Sequence, residues 1–408
     1  MKQFLYILVS TLGMFFITTC LASCKKDIPE PANENKSHTV IVYMGAENNL
    51  SDTIPINDFS FQDLEEMKSA IKDIPSNSQI IVFRDALTNP EIFHLTTQKH
   101  QLWKQYTQEL NSADPLVMKS VINEIITAFP SNKYSLVLWS HGSGWFDHPR
   151  TPSRSIIVDN NQNSGNSNLG SWVHISELAQ ILSTLPKMEY IFFDACYMQS
   201  IEVAAELYPY SNYIIGSPTE IPGDGAPYHL IMKDLCLSNP QGIIEGYASG
   251  YPGETSVLLS AVCCDNFHEF CQGTTKYIQK YFNKDNMPKT AGIQIYAPAY
   301  GNSYTNQSEM PVPYDIRSTM HRALNEEDYK EWELLWRKTI LYPTRANSWE
   351  TIYYSGRYGN FHCTMQDSEH YGAISMNIPS TKYDNKGWNE MFRNNMWYTL
   401  GGWAETGW

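Results

Sequence analysis

Two side chains in this sequence have the chemistry of a nucleophile and its base, and each follows a short apolar run. His141 follows "LVLWS" and Cys196 follows "IFFDA". A thiol attacks a carbonyl group at neutral pH when its pKa is low or when a base lies beside it. An imidazole can be that base and can later protonate the leaving amine. Together the two residues predict acyl transfer from a carbonyl substrate to sulfur.

The neighbours of this pair favour the same chemistry. Gly142 and Gly144 in "HGSGW" give an open backbone, so the Gly142 N–H can point at a developing oxyanion. The N–H of Cys196 is the predicted second donor. The segment "CYMQSIEVAAEL" is predicted to be helical from Cys196 onward, which would place the sulfur at the positive end of the helix dipole.

Each residue also has a structural explanation when it is taken alone. A free cysteine is among the most buried residue types, and a histidine at a strand end often only forms hydrogen bonds within a loop. The segment "HGSG" is also similar to the oxyanion loop of serine hydrolases, but the sequence contains no G-x-S-x-G elbow. The combination of His141 and Cys196 favours cysteine chemistry over these alternatives.

The elements that must position the pair alternate between strand and helix. Strands are predicted in "TVIVYM", "QIIVFRD", "YSLVLWSHG", "EYIFFDA" and "NYIIGS", and helices in "NDFSFQDLEEMKSAIKDI", "PLVMKSVINEIITAF" and "VHISELAQILSTL". This alternation predicts an α/β fold with a mostly parallel sheet flanked by helices. Ligands of such sheets bind at the carboxyl ends of the strands. His141 and Cys196 are therefore expected to share one crevice.

The pattern loosens beyond about Gly250. Strands are predicted in "SVLLSAV", "GIQIYA" and "YGAISMNIP", and helices in "NEEDYKEWELLWRKTI" and "WNEMFRNNMWYTLGGW". The turn-forming segment 146–169 is predicted to be a long exposed loop. We therefore expect a main domain over 38–260 and a smaller C-terminal α/β extension over 261–408 that packs on it.

Composition limits the possible partners. The 408 residues carry 29 Lys and Arg against 43 Asp and Glu, a formal net charge of −14. A nucleic-acid groove needs clustered positive charge, so no nucleic-acid partner is expected. An acidic site would instead favour cationic substrates.

The N-terminus is typical of an exported protein. Lys2 precedes a long apolar run that ends in "LASC", which resembles a bacterial lipobox with Cys24 as the lipidated residue. Residues 1–24 are read as a lipoprotein signal peptide and 25–37 as a flexible tether. The alternative is an uncleaved membrane helix. We expect a lipid-anchored envelope protein that faces the periplasm or the exterior.

Several motifs resemble the clostripain family of cysteine peptidases, relatives of caspases and gingipains. "HGSGW" and "FFDACYMQSIEVAAEL" resemble its His and Cys motifs, "TVIVYMGAENNL" resembles its opening strand, and "GSPTEIPGDGAPY" the segment after the catalytic helix. Glu47 stands where Asp is usual. The resemblance implies a caspase-like fold and a cysteine endopeptidase that cleaves after Arg or Lys. It makes His141 the base, Cys196 the nucleophile and a thioester the intermediate.

The resemblance also implies a pocket for a basic side chain. Asp194, two residues before the cysteine, and Asp224, after the next strand, match the acids that family members place there. A buried guanidinium or ammonium needs such a carboxylate. The alternatives are that Asp194 caps a helix and that Asp224 is an ordinary turn residue.

Two further expectations follow from the family. Members often cut themselves between the His and Cys motifs, and we expect cleavage after Arg154 in "PRTPSRS". No cofactor is required by the chemistry, although calcium is possible because some relatives use it. The competing function is a non-catalytic envelope lipoprotein that uses the caspase-like fold as a binding module.

Two metal-like patterns are set aside. Cys264, His268 and Cys271 share a helical spacing, but three ligands fall short of a closed structural zinc site. The segment "DNNQNSGNSNLG" places Asp159, Asn161 and Asn163 as in a calcium loop, but Ser164 and Gly170 occupy the positions that need Gly and Glu. No metal site is predicted from either.

Overall fold

The structure is a computed structural model that describes the chain in six stretches. They are 36–145, 155–160, 170–251, 257–296, 311–344 and 367–408, together with the backbone of two strands between 352 and 363. These residues belong to one compact unit, Glu34–Trp408. The predicted signal peptide, tether, Cys24 and Arg154 lie outside the described residues. The domain boundary at residue 260 stays a prediction.

Fifteen strands are assigned in the described residues. They are β1 (Lys36–Gly45), β2 (Ser78–Asp85), β3 (Glu91–Thr96), β4 (Lys99–Gln105), β5 (Ser131–Trp139), β6 (Ile156–Asp159), β7 (Ser171–Val173), β8 (Met188–Asp194), β9 (Tyr213–Gly216), β10 (Ser260–Cys263), β11 (Tyr314–Asp315), β12 (Ile340–Leu341), β13 (Ile352–Gly356), β14 (Gly359–Cys363) and β15 (Ser375–Met376).

Nine of these strands form the central sheet, in the order β12-β10-β9-β8-β5-β1-β2-β3-β4. The five strands from β9 to β2 are parallel, and the two strands at each edge are antiparallel. Parallel strands covered on both faces have near-continuous apolar sequences, as the buried run of β1 shows. The predicted α/β class with a mostly parallel central sheet is confirmed.

Helices cover both faces of this sheet. They are α1 (Phe59–Ser69), α2 (Pro115–Ala128), α3 (Ile175–Leu182), α4 (Ile201–Leu207), α5 (Tyr228–Leu237), α6 (Pro240–Ser249), α7 (Cys264–Tyr281), α8 (Ile316–Ala323), α9 (Glu326–Thr339), α10 (Trp388–Asn394) and α11 (Met396–Leu400). Val40, Val42 and Met44 share a core with residues of α1, α5 and α6. The intervening Ile41 and Tyr43 are also buried, on the opposite face because side chains alternate along a strand.

The C-terminal part differs from the predicted elements in two places. The predicted strand "GIQIYA" has only an isolated bridge between Ile295 and Tyr314 among its described residues. The predicted terminal helix is broken at Asn395, whose extended backbone (φ −80°, ψ 142°) separates α10 from α11. The Asn395 side chain accepts the Trp397 N–H at 2.9 Å and so caps the second helix.

The C-terminal residues also contact the segment that follows Cys196. The Ser375 N–H donates to the Gln199 carbonyl at 3.0 Å, and the Asn377 N–H donates to Glu202 Oε1 at 2.6 Å. Strand β10 pairs with β9, and β12 pairs with β10. Residues beyond 260 therefore extend the central sheet and support the loop after β8.

The predicted long exposed loop over 146–169 is wrong for its described part. Residues 155–160 are buried, and β6 pairs with β7 in an antiparallel hairpin. Strand β6 has the sequence "IIVD", and all four of its residues are buried. Among the described residues, no helix is long and apolar enough to cross a membrane.

Candidate active site

The register between two neighbouring strands brings His141 and Cys196 together. In the parallel ladder of β5 and β8, Trp139 pairs with Asp194. His141 and Cys196 each follow two residues later, so both leave the sheet at the same carboxyl edge. The backbones are in contact there: a Cβ added to Gly142 would lie 2.5 Å from the Cys196 carbonyl oxygen. Glycine is required at position 142 because a side chain would collide with that carbonyl.

Hydrogen bonds fix the segment that carries His141. The His141 ring donates through Nε2 to Asn49 Oδ1 at 2.8 Å in the tautomer that leaves Nδ1 as the basic nitrogen. The neighbouring Ser140 hydroxyl donates to the Gly45 carbonyl at 2.6 Å. The Ser143 N–H donates to the Ser155 carbonyl at 2.9 Å. The end of β1 and the β6–β7 hairpin thus hold the histidine from two sides.

Cys196 lies in a turn rather than at the start of a helix. Helix α4 begins at Ile201, and Ser200 is its cap, accepting the Val203 N–H at 3.2 Å. The predicted helix from Cys196 is therefore wrong, as is the expected contact of the sulfur with the helix dipole. The turn is tight because Tyr197 has φ 61°, the left-handed region that non-glycine residues rarely adopt.

The thiol faces the segment after β9. The Ile221 N–H donates to Cys196 Sγ at 3.4 Å, and the Tyr197 N–H donates to the Thr219 carbonyl at 2.9 Å. Burial, followed by the nearby charge of Glu220, raises the pKa of the Cys196 thiol to about 12. The pKa of the Cys196 thiol is thus raised in this structure, and not lowered as the predicted helix start had implied. Burial likewise raises the pKa of Glu220 to about 7.

The predicted oxyanion donors lie beside each other. Gly142 forms an isolated bridge with Ile156, and it is the Ser143 N–H that donates across this bridge to Ser155. Gly142 and Ile156 are therefore a non-hydrogen-bonded antiparallel pair, in which the Gly142 N–H points away from the partner strand. The close approach of Gly142 to the Cys196 carbonyl puts both predicted donors, Gly142 and Cys196, in one corner of the site.

Asp194 is buried, 2% exposed, and does not cap a helix. Its Oδ2 accepts the Ala226 N–H at 3.0 Å and the Tyr228 hydroxyl at 2.9 Å. Its Oδ1 accepts the Tyr247 hydroxyl at 3.1 Å. Burial raises the pKa of Asp194 to about 6, against the opposing effect of these donors. The carboxyl is therefore mostly ionised at neutral pH.

A second buried acid, Asp63 on α1, lies beside Asp194. A Cβ on Gly225, which has φ +62°, would lie 3.0 Å from Asp194 Oδ2 and 3.1 Å from Asp63 Oδ2. The Trp139 indole N–H donates to Asp63 Oδ2 at 2.6 Å. Burial and the charge of Asp194 raise the pKa of Asp63 well above its usual range. Burial and the neighbouring carboxylate therefore both favour the neutral form of Asp63.

Asp224 lies next to this pair but in a different environment. It is exposed on the turn closed by the bond from the Gly225 N–H to the Pro222 carbonyl, 3.0 Å. Partial burial, followed by the charge of Glu66, raises its pKa. Asp224 thus presents its carboxylate to solvent at the rim, whereas Asp194 and Asp63 lie below Gly225.

Sequence reasoning did not single out Asn49, Asp63 or Glu220. Asp63 had a signal, since it shares the i, i+3, i+4, i+7 stripe of α1 with the buried Ser60, Leu64 and Met67, and an acid on a buried stripe is unusual. The contacts of Asn49 and Glu220 depend on how loops meet. The Cys264, His268 and Cys271 set does not converge, because His268 is exposed while both cysteines are buried.

The model of the Clostripain family matches residues 42–408. Clostripain of Hathewaya histolytica is 22% identical over 231 residues, which are 50% of this chain and 43% of that protein. The chain therefore spans less than half the length of that relative.

Solved structures show the same fold. A secreted C11 cysteine protease from Bacteroides thetaiotaomicron, solved with an irreversible peptide inhibitor, is 26% identical with a TM-score of 0.74, over 90% of this chain and 99% of that one. An inactive zymogen C11 protease from Parabacteroides distasonis is 24% identical with a TM-score of 0.73, at the same coverage.

Proposed function

This chain belongs to the clostripain family of cysteine-type peptidases, and we propose that it is an endopeptidase that cleaves after Arg, with Lys second. The observation that carries the proposal is the register of β5 and β8, because the pairing of Trp139 with Asp194 sets His141 and Cys196 at one sheet edge. Cys196 is the proposed nucleophile, and His141 is the proposed base and acid.

In the first step the Cys196 thiol transfers its proton to His141 Nδ1, and the sulfur attacks the carbonyl carbon of the scissile bond. The N–H groups of Gly142 and Cys196 stabilise the resulting oxyanion. The imidazolium then gives its proton to the leaving amine, and the C–N bond breaks. The products of this step are a thioester on Cys196 and the free amine.

In the second step water replaces the amine. His141 takes a proton from the water, whose oxygen attacks the thioester carbonyl carbon. Collapse of the tetrahedral intermediate breaks the C–S bond, releases the carboxylic acid and returns the proton to sulfur. Asn49 keeps the imidazole oriented through both steps because it accepts the Nε2–H bond at 2.8 Å.

The raised pKa of Cys196 fits a mechanism in which the substrate helps to activate the thiol. Burial is the main cause of this raised pKa, and the charges of Glu220 and Asp194 add to it. A guanidinium or ammonium bound near these carboxylates offsets their negative charge and so lowers the pKa of the thiol. The resting enzyme would then hold a protonated, poorly reactive sulfur until a basic side chain is bound.

Basic specificity is supported by the acids around Gly225. Asp194 and Asp63 lie within 3.1 Å of the position of a Cβ on Gly225, and Asp224 adds a carboxylate at the exposed rim. Asp194 keeps its charge at neutral pH through three hydrogen-bond donors. We propose Asp194 as the main partner of the substrate cation and Asp224 as a second one.

The test is hydrolysis of peptidyl-Arg-methylcoumarin by the protein and by Cys196→Ala. We expect hydrolysis that Cys196→Ala and thiol alkylation abolish. Cys263→Ala, at another partly exposed free cysteine, is the matched control and should retain activity. No Cys196-dependent hydrolysis of any reporter would favour a non-catalytic binding module. Strong cleavage after Asp or Ala would contradict the pocket assignment alone.

We also propose that the protein is exported and lipid-anchored through Cys24. The basic Lys2, the apolar run and "LASC" support this, and the similar protease from Bacteroides thetaiotaomicron is described as secreted. Labelling with a fatty-acid analogue should modify the wild-type chain and leave Cys24→Ala unmodified. Equal labelling of both would contradict the anchor.

A further inference from the structure

Two histidines and an aspartate from two segments of the C-terminal part lie together, and none of them belongs to the proposed active site. They are His321 on α8, and Asp367 and His370 in the segment before β15. Each side chain offers one atom that can bind a metal ion, and these three atoms lie within 4.8 Å of one another. Calcium and magnesium take oxygen ligands, whereas imidazole nitrogen with a carboxylate oxygen is typical of zinc. The cluster therefore has the ligand types of a zinc site.

The two imidazole rings of this cluster lie face to face. Their centroids are 3.4 Å apart with 8° between the ring planes, and Tyr329 contacts His321 edge to face at a centroid distance of 4.9 Å. Two nitrogen ligands of one tetrahedral zinc ion, each about 2.0–2.1 Å from the metal, lie roughly 3.4 Å apart. The rings are therefore spaced as ligands of one ion. Coordination tilts them out of the parallel stack, because a ring nitrogen's lone pair lies in the ring plane.

His321 carries the nitrogen that points to a missing partner. Its Nδ1 is buried and has no hydrogen-bond partner among the described residues, although the side chain as a whole is partly exposed. Buried polar atoms in proteins almost always have partners. An ion bound at the cluster would supply one.

Hydrogen bonds to its neighbours orient Asp367 toward the histidines. Its Oδ2 accepts the Ser318 hydroxyl at 2.8 Å, and its N–H donates to Gln294 Oε1 at 3.3 Å. Its other oxygen, Oδ1, lies 3.0 Å from His370 Nδ1. Outer hydrogen bonds of this kind orient the ligands of metal sites. Zinc binds deprotonated ligands, so its binding would displace the proton of the contact between Asp367 and His370.

We infer that His321, Asp367 and His370 bind a zinc ion, with water completing the coordination. Three protein ligands and a water are the arrangement of open zinc sites, in contrast to closed structural sites with four protein ligands. Both histidines line a surface cleft of about 680 Å³. The cleft gives the ion and its water access to the three ligands.

The charges around the cleft are compatible with a bound cation. Its basic side chains form ion pairs with acids: Arg317 and Arg337 with Glu333, and Lys330 with Glu326. Glu369 adds a further acid to the lining. The positive charges near the site are therefore partly offset.

The ion would stabilise the segment that supports the loop after Cys196. Asp367 and His370 precede β15, where the Ser375 N–H donates to the Gln199 carbonyl at 3.0 Å. His321 belongs to α8, which follows β11, the strand that pairs with β15. Zinc thus joins the two chain segments that carry this strand pair, and its role is structural.

Binding is measured on the full mature chain without a histidine tag, so the result does not depend on peptidase activity or on the proposed function. The chain carries Cys196→Ala and Cys263→Ala, because both thiols are partly exposed and could compete for zinc. The protein is stripped with EDTA, exchanged into chelator-free buffer and titrated with zinc against a chromophoric chelator. We expect stoichiometric binding with a Kd in the micromolar range or below. Cobalt in place of zinc should give the visible absorption of an ion with nitrogen ligands and low coordination number.

His321→Ala and His370→Ala should each weaken zinc binding at least about a hundredfold and remove the cobalt absorption, since even the loss of an outer hydrogen bond costs about ten- to a hundredfold in affinity. Both side chains are partly exposed, and circular dichroism checks that each variant folds. If one variant does not fold, the other keeps the test valid.

The matched control is His229→Ala. His229 Nδ1 lies 3.0 Å from Glu66 Oε2 in an exposed pair that has no second histidine beside it among the described residues, so this variant should keep the parent's affinity. Absence of zinc binding in the parent, or equal affinity in the parent and both cluster variants, would overturn the inference. Calcium or magnesium binding tighter than zinc binding would also overturn it.

Discussion

Asn49 Oδ1 accepts a hydrogen bond from His141 Nε2 at 2.8 Å, across 92 residues of sequence. The bond joins the loop after β1 to the loop after β5. It fixes the orientation of the imidazole and the tautomer whose Nδ1 can take the thiol proton. Asn49 is therefore a positioning residue for the proposed base.

Asn49→Ala should lower kcat by about ten- to a hundredfold with little change in KM, because a misplaced imidazole transfers protons less efficiently. Asn49→Asp, which keeps an acceptor for the Nε2–H, should restore much of the rate. Steady-state kinetics with an Arg reporter gives both values. An equal fall in kcat in the two variants would contradict this role. So would a fall in kcat that is seen only together with a lower melting temperature.

Glu220→Gln should make Cys196 more reactive toward iodoacetamide. Removing a negative charge beside the sulfur lowers its pKa, and a fall of one unit raises the alkylation rate about threefold, since nucleophilicity falls in part with pKa. The pKa of Glu220 is raised to about 7. The ratio of variant to wild-type rates should therefore be near one at pH 5 and reach its maximum above pH 8.

The alkylation rates are measured by mass spectrometry in a Cys263→Ala background, with Glu245→Gln as the control. Glu245 is an exposed acid that bonds to Gln241, and its loss should leave the rate unchanged. A rate ratio that stays at one from pH 5 to pH 9 would show that Glu220 does not act on the thiol.

Asp194→Asn should reduce kcat/KM for an Arg reporter by about a hundredfold or more, because a buried cation loses its charged partner. Asp63→Asn should reduce kcat/KM less, since burial and the charge of Asp194 favour the neutral form of Asp63. In the wild type, kcat/KM for Arg should fall as the pH drops through about 6, where Asp194 takes up a proton.

A reporter with an uncharged side chain before the scissile bond serves as the comparison for this pocket. Its hydrolysis should lack the pH dependence that is assigned to Asp194 and should be little affected by Asp194→Asn. If Asp194→Asn lowers the rates of both reporters equally, Asp194 supports the site but does not select the substrate.

Self-cleavage after Arg154 should convert the chain into two fragments. The bond joins Arg154 to Ser155, which is buried and accepts the Ser143 N–H at 2.9 Å. Cutting it would therefore alter the support of the His141 segment. Wild type should give two bands on a denaturing gel, whereas Cys196→Ala and Arg154→Ala should each give one.

Arg150→Ala is the matched control and should still give two bands. Identical single bands from the wild type and from Cys196→Ala would rule out self-cleavage. If Arg154→Ala still gives two fragments with the wild-type masses, self-cleavage occurs at another bond.

The sequence by itself determined the fold class, the family and the cysteine-peptidase class. Apolar strands such as "TVIVYM" and "EYIFFDA" alternate with helical segments. This pattern can be read from each short segment alone, because it depends on the spacing of apolar residues and not on tertiary contacts. The His and Cys motifs are short and local as well. The family match over residues 42–408 confirms the resemblance that they carried.

Other features were decided by tertiary structure alone. The turn at Cys196 replaces the predicted helix start because Tyr197 and Gln199 bond to Thr219 and Ser217, residues of another strand end. The environments of Asp194, Asp63 and Glu220 likewise depend on segments far apart in sequence. Residue types give the intrinsic chemistry, but burial and neighbouring charges, which set pKa values and partners, exist only once the chain is folded.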